Sequence, residues 1–123
     1  RVYKFTVVVC DYSFVEVNEN SLLTQYQNEL PDPQLSLSDT LEALCAKRSR
    51  EGFMAELRLT PSGWLLIENH CPIFAAARSC SALCVAELSL FKKLLQGHAI
   101  VERSDHLLEG ARRCAYRIQP IDA

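Results

Sequence analysis

Four side chains of the kind that bind soft metals are strung along the second half of this sequence: Cys71, Cys84, His98 and Cys114, separated by twelve, thirteen and fifteen residues. A soft-metal site needs thiolates or imidazoles that converge in space, however far apart they stand along the chain. Three cysteines and one histidine can fill the four corners of an iron–sulfur cluster or of a zinc site. If these four do so, the elements between them must fold back on one another. A chain built around such a site is a sensor or binding module, not an enzyme.

Nothing in the composition opposes that reading. The 123 residues suffice for one domain with a core, and 49% are hydrophobic. The net charge of −2 leaves no basic stripe to grip nucleic acid. No apolar run approaches the roughly 18–20 residues needed to span a bilayer, and no signal peptide is visible. Six cysteines are many for this length. They admit a disulfide framework, but a core of this size needs no staples, so we expect reduced thiols and a cytoplasmic location. The chain starts at Arg1 rather than Met, which reads as a fragment or one domain of a longer protein.

Hydrophobic periodicity predicts an α+β fold. Residues 2–9 read as a strand, and a second short strand is expected at 13–17. A helix over 21–30 carries Leu22, Leu23, Tyr26 and Leu30 as its apolar stripe and stops at Pro31-Asp32-Pro33. A second helix spans about 40–50, with Asp39 and Glu42 as a capping box and Gly52 at its end. Residues 53–59 alternate and 64–68 return after Thr60-Pro61-Ser62-Gly63, a type I turn signature. Cys71-Pro72 opens a short helix reaching 79, and a longer one covers 83–95. Strands at 100–104 and 114–119 complete an antiparallel sheet of about four strands with helices on one face. Residues 1–35 form an N-terminal strand and linker helix. Residues 36–123 form the metal- or cluster-binding sensor domain.

Each candidate ligand has a plainer alternative. Cys71 stands at the N-cap of its helix, where partial positive charge and free N–H groups favour the thiolate, but it could simply cap. Cys84 lies on an apolar helix face, where cysteine commonly acts as a small hydrophobe. Cys80, one turn earlier, could substitute as a ligand or form a disulfide. His98 after Gly97 could interact only with the preceding helix end. Cys114 could be core of its strand. His70 and His106 are weaker candidates, and Cys45 reads as core. No CxxC pair supports a zinc ribbon. Phosphate-loop, nucleophile-elbow and HExxH patterns are absent. A Cys71 nucleophile would need an oriented histidine base, and neighbouring His70 is poorly placed for that.

Five stretches resemble one family: LEAL-x-A-x-R-x-x-EGFMAEL (Leu41–Leu57), LLIENHCPI (Leu65–Ile73), C-x-x-EL-x-LF (Cys84–Phe91), VER (Val101–Arg103) and G-x-x-RCAYRI (Gly110–Ile118). Together they look like the C-terminal sensor region of SufR-type transcriptional regulators and cover about two-thirds of the chain. The resemblance implies an iron–sulfur cluster, of the 4Fe–4S kind, on Cys71, Cys84 and Cys114. His98 falls where the family has its remaining cysteine. It further implies a homodimer, and DNA binding through a winged helix-turn-helix domain absent from this chain. In that family the cluster-loaded regulator represses the operon for cluster assembly. The substitution at His98 keeps open zinc, or a metal-free domain enclosing a small apolar ligand.

Overall fold

The turn Thr60-Pro61-Ser62-Gly63 organises the sheet. In the computed structural model, which describes residues 12–74, 77, 80, 82–105, 110–111 and 113–121, β1 (Ala55–Thr60) and β2 (Gly63–Glu68) pair antiparallel with Thr60 opposite Gly63. Gly63 has φ +155°, and a Cβ there would stand 2.2 Å from the Ile118 carbonyl oxygen. The hairpin therefore needs glycine where the turn meets the neighbouring strand. That neighbour is β4 (Cys114–Pro120), with β3 (Ala99–Asp105) on its far side. The order is β1-β2-β4-β3, antiparallel throughout.

Among the described residues, three helices accompany the sheet: α1 (Tyr12–Glu29), α2 (Leu37–Arg50) and α3 (Ala82–Leu94). The strand residues in the main core, Leu66, Ala99, Val101, Cys114, Tyr116 and Ile118, share one parity across the register. They lie on the sheet face that meets Leu22 and Tyr26 of α1, Leu41 and Leu44 of α2, and Leu90 and Phe91 of α3. The expected α+β architecture is thus present.

Two boundaries differ from expectation. Residues 13–17, rich enough in β-branched and aromatic residues to suggest a strand, belong to α1. Extending an existing helix adds one hydrogen bond per residue, which overrides the weak local preference. The N-cap of α2 is Ser36, whose hydroxyl accepts from the Asp39 N–H at 3.1 Å, so Asp39 lies inside the helix. The end of α2 is as read: Gly52 (φ +99°) follows C-cap Glu51, with Gly52 N–H donating to the Ser49 carbonyl and Phe53 N–H to that of Arg48. The strand expected at 2–9 lies outside the described residues. Among those described, no helix is long and apolar enough to cross a membrane.

Candidate metal centre

Antiparallel pairing brings the end of β2, the start of β4 and the end of β3 to one edge of the sheet. Glu68 closes β2 directly opposite Cys114, which opens β4. Three residues beyond Glu68, Cys71 begins a turn that bonds Phe74 N–H to the Cys71 carbonyl at 3.1 Å and leads into helical residues 74 and 77. Cys84 sits in the first turn of α3. Arg103 of β3 donates from Nη2 to the Cys84 carbonyl at 2.8 Å, which ties that helix start to the sheet.

The three thiols interact with one another. Burial pushes Cys71 up to about 12. A hydrogen bond from the Ile73 N–H pulls it down, and Cys114, Cys84 and Glu87 push it further up. The Ile73 bond is the N-cap interaction expected of Cys71-Pro72, but the expectation of a favoured thiolate is overturned because desolvation outweighs it. Burial likewise raises Cys84 to about 11, with Arg103 opposing and Cys114 and Glu87 reinforcing. Cys71 is half-buried at the rim, while Cys84 and Cys114 are buried.

Two arginines serve this end of the molecule. Arg48 of α2 is fully buried. Its Nε donates to Glu68 at 2.6 Å and its Nη2 to Glu68 and Glu87 at 3.1 Å each, while Nη1 reaches the Tyr26 hydroxyl at 3.2 Å. The guanidinium lies over Phe53 at 3.5 Å and Phe91 at 4.8 Å. Arg103 instead lies beside the thiols, with its Nη2 shared between the Cys84 carbonyl and the Tyr116 hydroxyl at 3.1 Å. Its Nε is sealed from solvent without a hydrogen-bond partner.

The remaining sequence candidates do not join this group. His98 stands beside Ala99, which pairs with Pro120, at the other end of β4 from Cys114. The seven residues of β4 put about 20 Å between those ends. His98 instead lines a cavity of about 470 Å³ with Gln27, Leu30, Asp32 and Lys93, among others. Cys80 is disulfide-bonded, which withdraws it from the ligand set and departs from the all-thiol expectation. His70 is exposed. Cys45 packs against the core, and burial raises its thiol, reinforced by Glu68 and Glu56. His106 lies outside the described residues.

Sequence reasoning missed Arg103, Glu68 and Glu87 as parts of the site. A signal existed: Arg103 and Glu68 occupy core-facing parity with Val101 and Leu66, and Glu87 follows Cys84 by three on the buried face of α3.

Among the described residues, no three His, Cys, Asp or Glu side chains stand close enough to hold a single metal ion. Tetrahedral zinc would draw its sulfurs to roughly 3.8 Å from one another, given zinc–sulfur bonds near 2.3 Å. Cys71, Cys84 and Cys114 lie within electrostatic reach of one another, and the Nε–H of Arg103, which Cys84 and Cys114 also influence, is buried without an acceptor. No family model matches the chain, and no curated protein or solved structure matches it either.

Proposed function

We propose that this chain is the sensor part of a transcriptional regulator and holds an iron–sulfur cluster on Cys71, Cys84 and Cys114. One observation carries the reading: three cysteines from three separate segments lie within electrostatic reach of one another at one end of the sheet. Such a cluster supplies oxidant- and iron-sensitive bonding that a purely organic core lacks. The chain's own part is to tether the Cys71 turn, the start of α3 and the start of β4 to one another. When the thiols are released, those three elements lose their common anchor. α3 packs along α1; we assign the homodimer contact to α1, so loosening at Cys84 has a direct route to the dimer. DNA binding is assigned to a winged helix-turn-helix domain outside this sequence, by the resemblance. The reading makes the protein a non-enzyme, and its cytoplasmic location is part of the same proposal.

The deciding experiment measures iron, sulfide, zinc and the visible spectrum of protein purified without oxygen. We expect brown protein with matching iron and sulfide, both lost in Cys71→Ser. Stoichiometric zinc in colourless protein would replace the cluster by a zinc site. Metal-free protein would discard both.

A further inference from the structure

We infer that Arg103 is a positioning residue of the thiol site, whose Nε–H donates a hydrogen bond to the anionic group that Cys84 and Cys114 hold. This rests on the iron–sulfur reading above.

Three observations converge on it. The guanidinium is fixed by two acceptors, the Cys84 carbonyl and the Tyr116 hydroxyl, and lies over the Tyr116 ring at 5.2 Å. These contacts anchor the Nη2 end of the guanidinium against α3 and β4. The Nε–H is nonetheless buried without an acceptor, and an unmet donor on a buried charge is costly. Cys84 and Cys114 are within electrostatic reach of the same cation. A sulfide or thiolate sulfur of a cluster held by these cysteines would be an acceptor of the right charge, and hydrogen bonds to sulfur and local net charge both set a cluster's potential. Arg103 thus has two jobs. Through Nη2 it holds the α3 start against β3, and through Nε it stabilises the more negative, reduced form of the cluster.

The test uses the full chain reconstituted under anaerobic conditions and labelled with guanidino-15N arginine. Pulsed EPR of the reduced wild-type cluster should show a 15N coupling that disappears in Arg103→Lys. In parallel, Arg103→Gln should lower the midpoint potential by about 59 mV, the one-electron equivalent of a tenfold loss of preference for the reduced form. Arg103→Lys, which keeps the charge without the Nε–H, should fall between. Absence of 15N coupling in cluster-loaded wild type overturns the assignment to Arg103 and leaves the cluster reading intact. An unchanged potential in loaded Arg103→Gln does the same. Wild type that takes up no iron and sulfide overturns the cluster reading itself, and this inference with it.

Discussion

Arg48 and Arg103 lie on the same side of the sheet, and they differ in what they are for. Arg48 is fully buried, yet Nε, Nη1 and Nη2 all find acceptors on α1, β2 or α3, and its guanidinium lies close to two aromatic rings. Arg103 is only partly buried, yet it keeps one sealed Nε–H with nothing to donate to. Satisfied buried polar networks specify a fold. Arg103 leaves a single donor unsatisfied near the thiols, where the proposed cluster would supply the acceptor. The comparison separates the part of the molecule that holds the fold from the part to which the site is assigned.

The largest effect should fall on the satisfied arginine. Arg48→Met leaves Glu68 and Glu87 facing a buried site without their cation. Removing one partner of such a network typically costs about 3–5 kcal/mol. Arg103→Met, measured in metal-free protein, should cost about 1 kcal/mol, because one orphaned donor disappears together with its neighbour's hydrogen bonds. Denaturant unfolding of the two variants reads this difference directly. Equal losses would erase the distinction between scaffold and site.

Glu87 stands between the two regions. It accepts from Arg48 and also raises Cys71 and Cys84. Glu87→Gln should lower stability by about 1–3 kcal/mol, the range for hydrogen bonds to charged groups. It should also speed alkylation of the two thiols in metal-free protein near neutral pH, because a negative neighbour of both thiolates is gone. Loss of stability without faster alkylation would confine Glu87 to the scaffold.

Alkaline pH gives a graded version of the same contrast. Burial raises Cys71 from an ordinary 9.0 to about 12 and Cys84 to about 11. Burial also raises Tyr26 above its ordinary 10.0, reinforced by its hydrogen bond to Glu51 and opposed by Arg48. Between the unfolded and folded values, the folded chain binds more protons, so stability falls as pH rises. Metal-free protein should therefore lose thermal stability from about pH 9 as the thiols begin to count, and more steeply past about pH 10. Tyr26→Phe should flatten the upper part only. A slope unchanged by that substitution would take the Tyr26 hydroxyl out of the network's energetics.

Most of the architecture was readable because it is local. The hairpin follows from alternation around Pro61 and Gly63, and the end of α2 follows from Gly52. Strand order was not, since it depends on β4 inserting between β2 and β3, a pairing of residues some fifty positions apart that no local pattern encodes. The site divides in the same way. Cys71, Cys84 and Cys114 were named from spacing and resemblance, and they lie within electrostatic reach of one another. His98 was named by the same count, but spacing carries no direction. Chain order placed it between Cys84 and Cys114, while α3 carries it to the opposite end of the sheet. Arg103 and Glu68 went unassigned because a charged residue in a strand is read as solvent-facing unless its parity with neighbouring core residues is checked.

That reversal at His98 yields the smallest expected effect and a sharp one. Cys84 lies in the first turn of α3 and His98 follows the helix end. The stretch from Cys84 to Leu94 spans roughly 15 Å at 1.5 Å per residue. The strand β4 gives a similar separation from Cys114. Two independent rulers agree, so a histidine at this position cannot reach the thiols while α3 and β4 keep their lengths. His98→Ala should accordingly leave iron, sulfide and the visible spectrum at wild-type levels, whereas Cys84→Ser and Cys114→Ser should abolish them. If His98→Ala loses metal while its thermal unfolding in the metal-free form matches wild type, the loaded protein must rearrange α3 or β4 to bring the histidine in. Scaffold and site would then no longer be separable regions.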